Sequence, residues 1–264
     1  MTSNTKTTLI SGATSGFGRE FVELFAQDGY NLILIARHEQ DLQKVANEVK
    51  AKYPVCDVIV IAKDLSVPGS AQELYDEVKG KNLTVDVLIN NAGFGSHGLF
   101  VETAMEREQK IMHLNMISLV ELTKLFLKEM VSRNDGKILQ LGSTVAFMPV
   151  PKMAVYAASK AFVLSFTEAL QHELKDTNVT VTVLCPGAGD TEFFERADAE
   201  DTRIVQDTTL SDPAKVARDG YEALMSGDRR VVSGAKNKIQ AFMSNFVPDS
   251  FLAVGMSKMM EDKS

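Results

Sequence analysis

Short, mostly apolar runs alternate along this chain with longer stretches in which apolar residues recur every three or four positions. The runs lie at 7–10, 31–36, 58–62, 85–89, 137–141, 179–184 and 230–233. A run such as Leu32-Ile33-Leu34-Ile35 has no polar face, so it fits a parallel strand covered on both sides. The periodic stretches at 19–28, 41–52, 72–79, 107–133, 155–175 and 213–225 predict amphipathic helices, the first capped by Gly29. Alternation at this spacing predicts right-handed crossovers and an α/β fold: one doubly wound parallel sheet with helices on both faces. No repeat, low-complexity segment or linker divides the 264 residues, so a single domain, 1–264, is expected. Within it, an acidic stretch at about 187–211 reads as a lid and about 235–264 as an apolar tail.

Composition narrows the classes of function. A net charge of −7 argues against a nucleic-acid binder, whose footprint is basic. The two cysteines, Cys56 and Cys185, have no metal-ligand spacing and read as buried free thiols. His38, His97, His113 and His172 show no paired zinc spacing, so no metal is expected. No run approaches the ~18 apolar residues of a membrane span, and the polar amino end gives no signal peptide. A cytoplasmic setting follows as the expectation.

Between the first strand and the first helix stands Ser11-Gly12-Ala13-Thr14-Ser15-Gly16-Phe17-Gly18. Backbone N–H groups reach a phosphate only where side chains do not block the approach, and a helix N-terminus adds unpaired donors. Gly12 would make the tight turn, Gly16 admit a pyrophosphate, and Gly18 let the helix pack on the sheet. The spacing is GxxxGxG, and turn chemistry alone would also explain three glycines here. The second strand ends Ala36-Arg37 where NAD-binding units carry an acid for the ribose 2′-hydroxyl. Arg37 offers a fork for a 2′-phosphate, so NADP (NADPH) is favoured over NAD; a solvated Arg37 is the alternative.

Tyr156 and Lys160 stand at i and i+4 on a predicted helix and leave one face together. A tyrosine titrates near pH ~10, and an ammonium one turn away is expected to bring that down. Ser143 follows a strand-like run, where open α/β sheets bind ligands. The three could polarise and protonate a carbonyl oxygen, although the pair alone would also describe a solvated surface tyrosine and lysine.

With the glycine loop, Asn90-Asn91-Ala92-Gly93, Ser143 and Tyr156-Ala157-Ala158-Ser159-Lys160 in this order, the sequence resembles the short-chain dehydrogenase/reductases from 7 to about 191. Within them it is most similar to the DltE-like, 3-oxoacyl- or ketosteroid-reductase-like branch, on Leu184-Cys185-Pro186-Gly187 and Thr191-Glu192-Phe193-Phe194. The resemblance implies a Rossmann-like fold, a homodimer or homotetramer, and direct hydride transfer between NADPH and a carbonyl or alcohol. It makes Tyr156 the general acid, Ser143 the group holding the substrate oxygen, and Lys160 the tuner of the tyrosine and ligand of the nicotinamide ribose. Asn115 becomes a helix asparagine supporting a proton relay. Cofactor contacts carry over to Gly12, Thr14, Ser15, Gly16, Phe17, Gly18, Asp64, Leu65, Asn91, Ala92 and Gly93, with Pro186, Gly187 and Thr191 at the nicotinamide. The Asn90 run equally fits a structural role in the sheet. Ser11 replaces the family's usual threonine, and Gly189 stands where a larger residue is commoner.

Substrate choice is expected from 94–100, 146–153 and 192–210, whose phenylalanines and methionines suit an apolar carbonyl or ordinary core. The tail's apolar residues could pack over the substrate mouth, join an oligomer or touch a membrane; packing or oligomer contact ranks first for want of a strongly basic face. Other readings are a dinucleotide-sensing or scaffolding protein, an epimerase or dehydratase, and an NAD-dependent alcohol dehydrogenase.

Overall fold

The computed structural model describes residues 5–54 and 56–263. Among them, strands β1 (Thr7–Ser11), β2 (Asn31–Ala36), β3 (Val58–Ala62), β4 (Val87–Asn90), β5 (Gly136–Leu141), β6 (Val179–Cys185) and β7 (Arg230–Val232) form one sheet. The order is 3-2-1-4-5-6-7 and every pairing is parallel. The sheet is Rossmann-like. The uniform strands are explained by burial on both faces. Ile10 joins Leu32, Leu34, Ile89 and Leu139 under helices α1 (Gly16–Gln27) and α2 (Glu39–Lys52). Leu9 points the other way, with Ile33, Ile35, Leu88 and Ile138, toward α3 (Ser70–Gly80) and the helix ending at Arg133. Alternate residues thus fill opposite cores.

That last helix departs from a regular spiral. It runs as α4 (Met105–Met112), a π-helical turn His113–Ser118, and α5 (Leu119–Arg133). The π turn drops one backbone register and swings Asn115 and Ser118 inward, where both are buried. Further on come a short 3₁₀ turn Thr144–Phe147 and α6 (Ala154–Glu173), which carries Tyr156 and Lys160. The acidic stretch contains two short helices, α7 (Phe193–Arg196) and α8 (Arg203–Gln206). Helix α9 (Pro213–Ser226) starts on an Asp212 cap, with its side chain accepting from the Ala214 N–H (3.0 Å). The tail folds as α10 (Ala235–Met243) and α11 (Asp249–Met259).

Most element boundaries fall one to three residues from the sequence expectation, and two of these shifts have a plain physical reason. The first helix starts at Gly16 rather than 19, because glycine's weak helix propensity hid a start chosen for clearance. The fourth strand starts at Val87 rather than 85, since the Thr7 N–H bonds the Asp86 carboxylate (2.8 Å) instead of a strand partner. The chain crosses from β3 over to β4 on the far side of β1, and this reversal opens a crevice at the carboxyl ends of β1 and β4.

Candidate active site

Ser11, at the end of β1, fastens the crevice floor. Its hydroxyl donates to the Ile89 carbonyl (3.2 Å) and accepts from the N–H groups of Asn91 and Ala92 (3.0 Å each). The Asn91 side chain returns the contact, its amide donating to the carbonyls of Ser11 (2.9 Å) and Gly12 (3.2 Å). The hydroxyl common to serine and threonine makes these bonds, so the departure at Ser11 loses nothing. Asn90 is equally structural: its amide donates to Thr123 and Gln140, 3.0 Å each.

The glycines then follow from clearance. Gly12 and Gly16 have φ of +69° and +52°, which side chains rarely adopt. A Cβ at Gly18 would stand 2.0 Å from the Gly12 carbonyl oxygen, so the turn closes only with glycine there. No side chain caps α1 at Ser15, which leaves the helix's first N–H groups facing the crevice. A glycine-lined turn ending on uncapped donors fits a pyrophosphate. Gly189 is explained as well. A Cβ there would meet the Phe17 ring at 2.6 Å, so the larger residue the family usually has is excluded by the phenylalanine in the glycine loop.

From this turn a cavity of ≈ 1040 Å³ extends in both directions. Every residue expected at the site lines it except Gly18 and Asn115, which support it from behind. At one end Arg37 is exposed, with no carboxylate in salt-bridge contact among the described residues. Nearby, burial pushes the Asp64 carboxyl up. The hydrogen bonds from Ser66 and the charges of Arg37 and Lys110 outweigh this and hold it below its usual range. Leu65 forms the wall beside it, its carbonyl accepting from Ser118 of the π turn (2.6 Å).

At the other end Ser143, Tyr156 and Lys160 converge, all buried. Lys160 does not sit as its i,i+4 spacing suggests. Its Nζ bends to the Leu141 carbonyl (2.7 Å) and lies 5.8 Å from the Tyr156 ring centroid. Burial pushes the lysine down to about 8. Burial also raises the Tyr156 phenol above its ordinary value, and hydrogen bonding with Ser143 offsets only part of that. The expected lowering of the tyrosine by its lysine is therefore not what this geometry gives; desolvation wins. Asn115 sits behind them, its amide donating to the Phe94 carbonyl and to Ser159, 3.1 Å each. A Cβ on Gly93 would lie 3.1 Å from the Asn115 Oδ1 and 3.6 Å from Lys160 Nζ, so the three pack without spare room.

The sequence placed the cover in the lid and the tail without showing which residues face the tyrosine. Phe193 of the lid lies against Tyr156, ring centroids 5.0 Å apart. Met256 of α11 and Met260 just after it pack with Met148, Met153 and Phe194 over the same space. Lid and tail are joined by an antiparallel bridge between Thr202 and Asp262, and His97 reaches the Met260 carbonyl (2.8 Å). Two adjacent phenylalanines in Thr191-Glu192-Phe193-Phe194 gave no signal as to which would face the tyrosine. His97, which carried no signal beyond the lack of zinc spacing, ties loop to tail.

A phosphate cradle and a proton-transfer group sharing one cavity define a dinucleotide-binding oxidoreductase. The particular family is that of the short chain dehydrogenases, to which the chain belongs: its family model matches residues 6–202. The very-long-chain 3-oxoacyl-CoA reductase of Mycosarcoma maydis is 36% identical over 179 residues, 67% of this chain. The match spans 51% of that relative, about half its length. The ketoacyl reductase HetN of Nostoc sp. is 30% identical over 97% of this chain and 83% of its own. Among solved structures, a short-chain dehydrogenase from Sphingobium yanoikuyae in complex with NADPH is similar with a TM-score of 0.80 at 26% identity, covering 91% and 93% of the two chains. Among the described residues, no helix is long and apolar enough to cross a membrane and no cluster of His, Cys, Asp or Glu could hold a metal ion.

Proposed function

We propose that the protein reduces an apolar ketone or aldehyde with NADPH. When bound, the nicotinamide supplies a hydride to the carbonyl carbon. Ser143 and the Tyr156 hydroxyl hold the carbonyl oxygen, and Tyr156 gives it a proton as charge develops. A phenol kept protonated by burial suits this direction, because an alkoxide is a far stronger base than a phenolate. Lys160 and Asn115 hold the floor behind the tyrosine, and Pro186, Gly187 and Thr191 border the nicotinamide end. Gly12 to Gly18 would cradle the pyrophosphate, Asp64 and Leu65 the adenine. Arg37 would take the 2′-phosphate, which Ala36 leaves room to enter. The observation that carries the reading is the convergence of Ser143 and Tyr156 at one end of the cavity whose other end is Arg37.

Substrate class follows from the cover. Phe193, Met153 and Met256 give an apolar enclosure. The lid 187–211 holds seven acids against two arginines, which repels a polyanionic carrier and favours an uncharged substrate. The lid and tail belong, on this reading, to the same unit as the sheet. A homodimer or homotetramer would use the exposed Ile117 and Val131 on the α4–α5 helix and Phe162 on α6. Cys56 and Cys185 are buried free thiols, in keeping with a reducing compartment such as the cytoplasm.

The test is nicotinamide absorbance with NADPH or NADH and a panel of apolar ketones and aldehydes. Tyr156→Phe should lose turnover by about 10²–10⁴-fold while retaining the NADPH thermal shift. A variant that still turns over refutes the acid role.

A further inference from the structure

Helix α10 and the turn after it face the body of the protein with small and polar residues rather than with their large apolar ones. The inward positions are Asn237, Ala241 and Ser244: Asn237 donates to the Ser233 carbonyl (2.7 Å), and Ala241 and Ser244 are buried. The outward positions are Ile239, Phe242, Met243 and Phe246, spaced i, i+3, i+4 and i+7. They are 64%, 63%, 48% and 68% exposed. The Phe242 and Phe246 rings lie 5.1 Å apart, so the stripe is continuous. On α11, Phe251 and Val254 also face solvent. Single exposed apolar residues are ordinary; an aligned stripe is not. A helix with this sequence could have turned its apolar side to the core, and it does the reverse.

The charge around the stripe is one-sided. From 229 to 248, between Asp228 and Asp249, there are four basic residues (Arg229, Arg230, Lys236 and Lys238) and no acid, in a chain of 35 acids and 28 bases. Arg230 is paired with Glu168 at 3.0 Å. Lys236 and Lys238 are exposed and in no ion pair among the described residues. An apolar stripe flanked by unpaired lysines is the pattern of a helix lying in a lipid interface.

We propose that the outward face of α10, with Phe251 and Val254 of α11, docks on an anionic phospholipid bilayer, lying among the headgroups without crossing. A two-fold contact through this face would bring no acid of α10 to Lys236 and Lys238, because both copies present the same patch, whereas anionic headgroups neutralise them. The sequence alone ranked packing or an oligomer contact above a membrane because the tail as a whole lacks a strongly basic face; the folded helix gathers its lysines beside the stripe. The same two helices also line the cavity, through Lys236 and Asn237 of α10 and Met256 of α11. Docking therefore brings the mouth to the bilayer, where apolar carbonyl compounds dissolve. That consequence rests on the proposed reduction; the docking itself does not.

Vesicle flotation with the full chain tests it, using phosphatidylcholine vesicles with and without phosphatidylglycerol. Light scattering in lipid-free buffer is run beside it. The protein should float with the anionic vesicles. Phe242→Ser/Phe246→Ser should lose flotation while keeping the mass and unfolding temperature of the parent. Lys238→Gln should bind anionic vesicles about five-fold more weakly and neutral ones unchanged. The proposal is overturned if the parent stays unbound, if Lys238→Gln has no effect on anionic vesicles, or if the phenylalanine variant lowers the mass in buffer. The last result would make the stripe a contact between copies.

Discussion

Lys160 is a charge held in the wrong place for stability, and replacing it by methionine measures how much that costs. The gap between its ordinary 10.5 and about 8 corresponds to ~3 kcal/mol of preference for the neutral amine. Methionine keeps the length of the stem and removes the charge, but it leaves the Leu141 carbonyl without its 2.7 Å donor, a loss of about 1–2 kcal/mol. The net expectation near neutral pH is a gain of about 1–2 kcal/mol, at roughly 2–4 °C of melting temperature per kcal/mol for a chain of this size. The sign with pH is fixed by linkage. A base whose folded pKa is depressed is costly below about 8, and the cost fades as pH rises toward 10.5, where the unfolded chain also loses the proton. The parent should therefore gain stability on the variant between those values, and the two should cross or converge. Denaturant melts of both proteins from neutral to alkaline pH read this directly, since every other titrating group is common to the pair. Parallel curves would refute the claim that burial suppresses this lysine. Turnover of Lys160→Met should fall whatever the melts show.

Other substitutions probe separate parts of the cavity. Arg37→Asp should lower the NADPH-over-NADH preference by about 10–100-fold, the worth of one charged hydrogen bond; unchanged preference in steady-state assays would put the 2′-phosphate elsewhere. Gly189→Ala sets a methyl 2.6 Å from the Phe17 ring and should destabilise by about 1–3 kcal/mol, with Phe17→Ala recovering much of it in a double-mutant cycle. Additive effects would mean the two residues do not share that space. Ending the chain before α11 removes Met256 and Met260 from over Met148, Met153 and Phe194. KM for apolar carbonyls should rise roughly tenfold, about 1.4 kcal/mol of lost contact, with a smaller change for short polar ones.

The sheet was legible because its strands are buried on both faces, which leaves runs such as Leu32-Ile33-Leu34-Ile35 that little else produces. The glycine turn was legible for a related reason: Gly12 and Gly18 stand where a side chain would strike the backbone or Asn91. What escaped were features with no periodic trace. A π turn shifts hydrogen bonds without disturbing the spacing of apolar residues, so Asn115 was reached only through resemblance. The two four-residue helices of the lid are too short to show a period. Lys160 was placed on the right face but not at the right atom, because four rotatable bonds let its Nζ reach Leu141 instead of the phenol. In α10 the period was present and the usual inference from it fails, since the apolar side faces out.

The stitch between lid and tail has a kinetic meaning. Arg203 N–H donates to the Glu261 carbonyl (3.0 Å) and Lys263 N–H to the Asp201 carbonyl (2.8 Å), on either side of Thr202 and Asp262. On the proposed reading, a product leaving beneath the lid would wait for this seam to part, and release would carry a barrier unrelated to the strength of its own contacts. Loosening one hydrogen bond far from the reacting atoms would then quicken escape, and the slowest event of the cycle would be mechanical.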